Sequence, residues 1–294
     1  MNSRWMIAQG RTVLTAGAVL AVLLLAGGWL FSHPISVSAN QSVILLPAAM
    51  YHSVTDAGDS PAQYVISPSM LESDLQYLQA HGRETVTVRD LLAYVQDGAA
   101  LPEKPVLLTF DDGYYNNYKY AYPLLKQYGM RAVLSPVASL TERFSQTDEA
   151  EQEAWSYCTG RELREMADSS VFEIQNHSYD FHELKPRKGC LRMAGETAAA
   201  YRQCFLSDTR RAQDLFVSLG IEAPVCYTYP YGAVNAEAQA LTAVCGFSVT
   251  LSCEEGVTAL TRDTACLKGI RRNNRDGRWS SAQFWDALLA QTEG

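Results

Sequence analysis

The chain has 294 residues, of which 47% are apolar and 19% are charged. This composition is typical of a globular protein, and it excludes a disordered chain, a collagen-like repeat and a small disulfide-stapled domain. The 24 basic and 32 acidic residues give a net charge of −8. We therefore expect no nucleic-acid partner, because nucleic-acid-binding proteins usually carry a basic face.

The first 31 residues form a separate region, because Arg4 and Arg11 are their only charged residues. Residues 12–31 then provide 20 consecutive uncharged residues, enough for a helix that crosses a bilayer core of about 30 Å. We expect a single-pass membrane anchor whose basic flank stays in the cytoplasm, with the rest of the chain outside the cell membrane. A cleaved signal peptide, which would leave a secreted protein, is the alternative, because the Val-Ser-Ala sequence at residues 37–39 resembles a cleavage site.

From residue 42 onward, strand-like and helix-like segments alternate along the chain. Strands are predicted at residues 42–46, 85–88, 105–110, 132–137, 171–175, 225–229, 247–251 and 266–270. Helices are predicted at residues 67–80, 88–96, up to 128, 160–167, 196–219, up to 244 and 280–290, with a polar loop at 140–158.

Repeated strand–helix units favour parallel strands with helices on the outside. We therefore expect one α/β domain, residues 42–292, built as a barrel of about seven parallel strands and joined to residues 1–31 by a linker, residues 32–41. Polar clusters follow several of the predicted strands. Barrels of this kind place their active sites at the C-terminal ends of the strands.

Seven cysteines follow residue 157, and no two of them have the spacing of a zinc ribbon or a thioredoxin-like motif. Export would permit disulfides, but their connectivity does not follow from sequence. The alternative is that several of these cysteines are small, buried apolar residues.

The strongest local signal is the sequence Thr-Phe-Asp111-Asp112-Gly113 at the end of a predicted strand. Two adjacent carboxylates would repel one another if both were ionised and buried. A bound cation removes that cost, and the two groups can then act as metal ligand and general base. The alternative is an ordinary Asp-Asp-Gly turn.

His177 and His182 form a second cluster, five residues apart after a predicted strand. Imidazole nitrogens suit zinc, and cobalt, nickel or iron are further possibilities. Two histidines and one aspartate, with water at the open positions, make a hydrolytic metal site. The alternative is two unrelated loop histidines.

A third cluster runs from Tyr227 to Gly232 and includes Tyr229, Pro230 and Tyr231. Aromatic rings at a strand end can form a wall on which sugars stack, and backbone amides there could bind an oxyanion. An ordinary Pro-Gly turn with packed tyrosines explains the segment equally well.

Taken together, the Thr-Phe-Asp-Asp-Gly, His-Ser…His and Tyr-Pro-Tyr-Gly motifs resemble the polysaccharide deacetylase family, which is carbohydrate esterase family 4 or the NodB-homology domain. The resemblance covers roughly residues 43–275. It implies a distorted (β/α) barrel, a divalent metal that is usually zinc, and hydrolysis of N-acetyl groups from N-acetylglucosamine polymers. It assigns Asp111 as general base, Asp112, His177 and His182 as metal ligands, and the backbone N–H of Tyr115 as oxyanion donor.

Three departures from the family pattern indicate one branch of it. The two metal histidines are five residues apart rather than four, no histidine follows His182, and Tyr229 or Thr228 stands where an arginine is usual. These departures resemble the poly-β-1,6-N-acetylglucosamine deacetylases, in which the catalytic histidine lies in an N-terminal Met-Tyr-His segment. Met50-Tyr51-His52 matches that segment, so the resemblance makes His52 the candidate general acid; a structural histidine is the alternative.

Arg271, Arg272 and Arg275 follow the last predicted strand. One of them could replace the missing arginine by orienting Asp111 or binding substrate, and Arg271 is the candidate; the alternative is a solvated basic turn. Further candidates for stacking on sugars are Tyr114, Tyr115, Tyr118 and Trp279.

The sequence therefore predicts a metal-dependent hydrolase that removes N-acetyl groups from an extracellular polysaccharide, either poly-N-acetylglucosamine or peptidoglycan. An inactive sugar-binding relative and a structural cell-envelope protein are the alternatives. The complete set of two aspartates and two histidines argues against the inactive relative, because binding alone does not require a metal constellation.

Overall fold

The computed structural model of the protein describes residues 43–57, 61–147 and 151–292, which belong to the unit Ser42–Gly294. The predicted membrane segment, residues 12–31, and the predicted linker lie outside the described residues. Within the described part of the chain, no helix is long and apolar enough to cross a lipid bilayer.

The strands, in chain order, are β1 (Ile44–Tyr51), β2 (Ser53–Val54), β3 (Val65–Ile66), β4 (Glu84–Val86), β5 (Pro105–Asp112), β6 (Ala132–Pro136), β7 (Phe172–Ile174), β8 (Cys226–Thr228), β9 (Val249–Leu251), β10 (Val257–Leu260) and β11 (Asn273–Asn274). The α-helices are α1 (Pro68–Ala80), α2 (Val88–Leu92), α3 (Tyr122–Gln127), α4 (Ala138–Phe144), α5 (Gly160–Asp168), α6 (Ala198–Ser218), α7 (Ala236–Val244) and α8 (Ser281–Leu289). Short π-helical turns lie at Ala93–Asp97 and Asn117–Ala121, and 3₁₀ turns at Pro230–Gly232, Thr264–Leu267 and Ala290–Thr292.

A ring of parallel strands forms the centre of the domain. β1, β5, β6 and β7 pair in that order, and β8 pairs with β9. Single parallel bridges, Asn176 to Tyr227 and Leu251 to Ile270, connect the two groups, and β11 pairs with β1 to complete the ring. The predicted barrel-like fold with parallel strands in a central sheet is confirmed.

The ring is irregular between β7 and β8, where side-chain bonds supplement the backbone ladder. The Gln175 side-chain oxygen accepts hydrogen bonds from the backbone N–H groups of Val225 (2.9 Å) and Cys226 (2.7 Å). A buried backbone donor without a partner would be costly, so the Gln175 side chain stabilises the contact between β7 and β8, where few backbone hydrogen bonds form.

The apolar pattern of β5 explains its central position. All eight residues of the strand are buried, and its sequence begins as a nearly continuous apolar run, which is typical of a parallel strand covered on both faces. Leu107 belongs to the cluster inside the barrel with Val133, whereas Leu108 packs with Leu75 of α1 in the cluster beneath the helices. The strand thus carries its last two residues, both aspartates, to the rim of the barrel.

Two of the predicted elements are wrong. The predicted loop at 140–158 contains most of α4, whose buried Thr141 and Phe144 give it an inner face. The predicted strand at 266–270 does not form: its first two residues end a 3₁₀ turn, Ile270 makes a single bridge, and Asn273–Asn274 pairs with β1 in its place. Asparagine is depleted in strands, so local preference gives no sign of β11. All seven cysteines are free thiols.

A buried ion pair fastens the end of β1 to helix α1 and to the segment after β11. Arg275 donates from Nε and Nη2 to the two carboxylate oxygens of Asp74, at 2.8 and 3.1 Å. The Tyr51 hydroxyl also donates to Asp74, and the Arg275 backbone N–H donates to the carbonyl of Met50. Arg275 is thus engaged with Asp74, and among the three candidate arginines it is not the partner of Asp111.

We predict that Asp74→Ala lowers the free energy of unfolding by about 3–5 kcal/mol, because it leaves the buried guanidinium of Arg275 without its counter-charge. The matched control is Asp168→Ala, which breaks an exposed pair with Arg164 (2.8 Å) and is expected to cost only about 0.3–0.5 kcal/mol. Urea unfolding of both variants measures the difference, and equal losses would contradict the role given to Asp74.

Candidate active site

One cavity at the C-terminal ends of the strands contains all five predicted catalytic and metal-binding residues. His52, Asp111, Asp112, His177 and His182 line a space of about 550 Å³. A slightly larger cavity, of about 590 Å³, is lined by the 179–193 segment and by α6 and contains none of the five. The convergence of titratable side chains identifies the first cavity as the site of chemistry.

Asp112, His177 and His182 bring three ligand atoms together. The Asp112 Oδ1 atom lies 3.0 Å from Nε2 of His182 and 3.4 Å from Nε2 of His177, and the three ligand atoms all lie within 4.8 Å of one another. Burial alone would raise the pKa of Asp112, but the hydrogen bonds with the two histidines hold that pKa well below its usual range. Asp112 is therefore an anionic ligand at neutral pH.

The outer nitrogen of each imidazole has a partner, which orients the inner nitrogen. The carbonyl oxygen of Thr228 lies 2.8 Å from His177 Nδ1 and can only accept, so Nδ1 carries a proton. In the neutral imidazole, Nε2 is then the nitrogen that can present a lone pair to a metal. The Tyr231 ring stacks on His182 at 4.6 Å, and its hydroxyl lies 3.4 Å from His182 Nδ1. Two oriented imidazoles and one carboxylate fit a divalent metal.

The five-residue spacing closes because the intervening loop is tightly hydrogen-bonded. Ser178 has a left-handed backbone (φ 74°), and its hydroxyl accepts from the Phe181 N–H. The carboxylate of Asp208, on α6, accepts from the backbone N–H groups of Tyr179 (2.9 Å) and Asp180 (2.8 Å). These bonds turn the chain so that His182 faces His177.

The turn after β5 separates the two aspartates. Asp112 and Gly113 both have left-handed backbones, with φ of 68° and 79°. A Cβ atom on Gly113 would lie only 2.5 Å from Cβ of Pro136, so no larger residue fits. Gly113 is therefore required both by its conformation and by the close approach of β6.

Asp111 forms a buried, two-point ion pair with Arg272. The Nη1 and Nη2 atoms of Arg272 donate to the two carboxylate oxygens at 2.6 and 2.9 Å, and Nε donates to the carbonyl of Ser252. Burial would raise the pKa of Asp111, but the charge and hydrogen bonds of Arg272 lower it overall. Asp111 is thus ionised near neutral pH and ready to accept a proton.

The arginine predicted for this role was Arg271, and the structure corrects it to the next residue. Arg271 is partly exposed, lies 3.4 Å from the carboxylate of Glu254, and donates to the carbonyl of Glu255. Consecutive residues project in different directions from this irregular segment, so Arg272 is buried whereas Arg271 is exposed. The basic sequence alone did not distinguish them.

His52 lies in the same cavity, with its ring edge-on to Tyr64 at 4.8 Å. Its Nδ1 atom is buried and has no hydrogen-bond partner in the part of the chain that the structure describes. Burial lowers the pKa of His52, and the nearby Asp111 and Asp112 offset part of that change. A lowered pKa makes the protonated imidazole a stronger acid.

A single buried amide, Asn116, holds the segment that follows His52. Its side-chain oxygen accepts from the Val54 N–H (3.1 Å), and its nitrogen donates to the Ser53 hydroxyl (2.9 Å) and to the carbonyl of Glu153 (3.1 Å). The role of Asn116 could not be predicted from the sequence, because an asparagine at the start of a helical segment carries no distinguishing signal.

Three predicted substrate-binding residues are placed elsewhere. The Tyr115 N–H donates to the carbonyl of Ser156 (2.9 Å), so it is not the oxyanion donor. The Tyr229 ring is only 1% exposed and belongs to a core cluster, and Pro230 is buried beside it. Tyr231, which is 41% exposed, is the member of this segment that lines the cavity.

The model of the polysaccharide deacetylase family matches residues 98–250, and the chain belongs to this family. It is accordingly an enzyme, an amide hydrolase, of a family whose members depend on a metal. The matched region contains the Asp-Asp pair, both histidines of the metal site and Tyr231, whereas His52 and Arg272 lie outside it.

Two relatives are similar to the chain in sequence, and one solved structure is similar to it in fold. The Bacillus subtilis protein YxkH is 27% identical over 227 residues, 77% of this chain and 71% of the relative. The poly-β-1,6-N-acetyl-D-glucosamine N-deacetylase of Escherichia coli K12 is 25% identical over 246 residues, 77% of this chain but only 36% of the relative. The structure of IcaB from Ammonifex degensii shares the fold, with a TM-score of 0.67 and 23% identity over 85% of this chain and 98% of IcaB.

We predict that Asn116→Ala lowers kcat about tenfold while the enzyme stays folded, because it removes three hydrogen bonds of about 0.5–1.5 kcal/mol each, two of which hold the segment after His52. Acetate release and the thermal midpoint are measured together. The control is Asn117→Ala, since the adjacent buried amide makes no hydrogen bond to the described residues. Equal activity losses in the two variants would contradict the role of Asn116.

Proposed function

We propose that the protein is a metal-dependent N-deacetylase that removes acetyl groups from poly-β-1,6-N-acetylglucosamine. The observation that carries the proposal is a single cavity that contains the three ligand residues Asp112, His177 and His182 together with Asp111 and His52. The name of the E. coli relative and the N-terminal position of His52 favour this polymer over peptidoglycan.

Asp112, His177 and His182 would hold the divalent metal, for which zinc is the first choice and cobalt, nickel and iron also suit the donors. When bound, such an ion supplies a Lewis acid and lowers the pKa of coordinated water. Asp112 would contribute the negative charge, and the two imidazoles would bind as neutral ligands, with the proton of His177 held on Nδ1 by the Thr228 carbonyl.

The other residues divide the proton transfers between them. Asp111, kept ionised and oriented by Arg272, accepts the proton of the attacking water. His52, in its protonated form, donates a proton to the amide nitrogen as the carbon–nitrogen bond breaks. The products are acetate and a glucosamine unit, and Tyr231 shields His182 and bounds the space for the sugar.

The cellular location is part of the same proposal. Residues 12–31 would anchor the enzyme in the cell membrane and place the catalytic domain outside it, where an extracellular polymer is accessible. A cleaved signal segment would give a secreted enzyme with the same access.

We predict that Asp111→Asn lowers the rate of acetate release from β-1,6-linked N-acetylglucosamine oligomers by about 10²–10⁴-fold, because it removes the general base. Metal content, measured by elemental analysis, should remain at the wild-type level, since Asp111 lies in the ion pair with Arg272 rather than in the ligand set.

The matched variant is Asp112→Asn, which should lose both metal and activity. Peptidoglycan and the oligomers are compared with the wild-type enzyme loaded with zinc, cobalt or nickel. No acetate from the oligomers with any metal would refute the proposed function, and release from peptidoglycan alone would refute the proposed substrate.

A further inference from the structure

A second cavity, of about 330 Å³, adjoins the catalytic cavity. Gln63, Glu255 and Asn274 line both spaces, so the two are contiguous along the protein surface. The far wall of the second cavity comes from Trp279 and from α8. Its volume falls in the range typical of small-ligand sites, which begins near 300 Å³.

Trp279 gives this cavity a flat aromatic wall. Its side chain is 48% exposed. Trp155 is exposed to the same degree, 47%, but it packs against Phe144 and lines neither cavity. The faces of indole rings suit the C–H faces of a sugar, so Trp279 is placed to hold a sugar unit.

Glu255 gives the shared wall its negative charge. The neighbouring acids are already compensated, because Asp276 accepts from Nε of Arg278 (2.8 Å) and Glu254 lies 3.4 Å from Arg271. No cation among the described residues pairs with the Glu255 carboxylate.

Asn274 adds a second acceptor to the same wall. Its side-chain nitrogen donates to the carbonyl of Gln63 (2.7 Å), while its side-chain oxygen is buried and has no partner in the described chain. A carboxylate and an amide oxygen together suit a group that only donates, and an ammonium ion is such a group.

We propose that the second cavity is a subsite for the sugar unit next to the one being deacetylated, and that it prefers a unit that already carries a free amine. This inference rests on the proposed function. Trp279 stacks on the ring of the neighbouring unit, and Glu255 and Asn274 accept from its ammonium group. Each product unit is then a favoured neighbour for the next reaction, so that deacetylation spreads along the polymer in blocks.

The test compares two β-1,6-linked tetramers, one fully acetylated and one with a single glucosamine unit, at a pH at which the amine is protonated. The full-length wild-type enzyme should show a kcat/KM about tenfold higher for the glucosamine-containing tetramer. Glu255→Gln should abolish this preference, whereas the control Glu254→Gln should retain it.

Trp279→Ala supplies the second arm of the test. For this arm, kcat/KM is measured for the acetylated tetramer and for the acetylated β-1,6-linked dimer, and the first value is divided by the second. Trp279→Ala should lower this ratio about tenfold, whereas Trp155→Ala should leave it unchanged. A wild-type enzyme indifferent to the neighbouring amine, or a Glu255→Gln variant with the wild-type preference, would overturn the proposal. Absence of acetate from every oligomer would instead refute the proposed function, and the subsite with it.

Discussion

Two adjacent buried carboxylates at the end of β5 set the electrostatic requirement that the rest of the site meets. Unless each is compensated separately, one of them must bind a proton. Arg272 compensates Asp111 through a two-point contact, and the imidazoles of His177 and His182 face Asp112. The turn at Asp112 and Gly113 allows this, because it directs the two carboxylates to different partners.

The same separation explains why the two aspartates can have different roles. A carboxylate paired with a buried arginine is ionised in the resting enzyme, and the oxygens that accept from the arginine are less available to a metal. A carboxylate that faces two oriented imidazole nitrogens is preorganised as a ligand. The two aspartates have the same side chain, so their neighbours decide their roles: the arginine beside Asp111 favours a base, and the imidazoles beside Asp112 favour a metal ligand.

Much of this arrangement could be predicted from the sequence. The strand–helix alternation predicted the barrel, and strand ends predicted that Asp111, Asp112 and His177 would lie near one another. The choice among Arg271, Arg272 and Arg275 could not be predicted, because two of them are buried and the choice depends on which buried aspartate each one reaches. Tyr229 and Tyr231 raise the same difficulty, since they lie on either side of Pro230 at the start of a 3₁₀ turn, and only Tyr231 is exposed. The roles of Asn116 and Asp208 could not be predicted, because both residues act through hydrogen bonds to backbone groups that are distant in sequence.

The most direct test is a crystal structure of the enzyme with zinc, with the ion located by its anomalous scattering. The account predicts one ion, about 2.0–2.2 Å from Nε2 of His177, Nε2 of His182 and a carboxylate oxygen of Asp112. Asp111 should remain paired with Arg272 and should not touch the ion. An ion bound at another place, or bound through Asp111 with the Arg272 contact broken, would contradict the account.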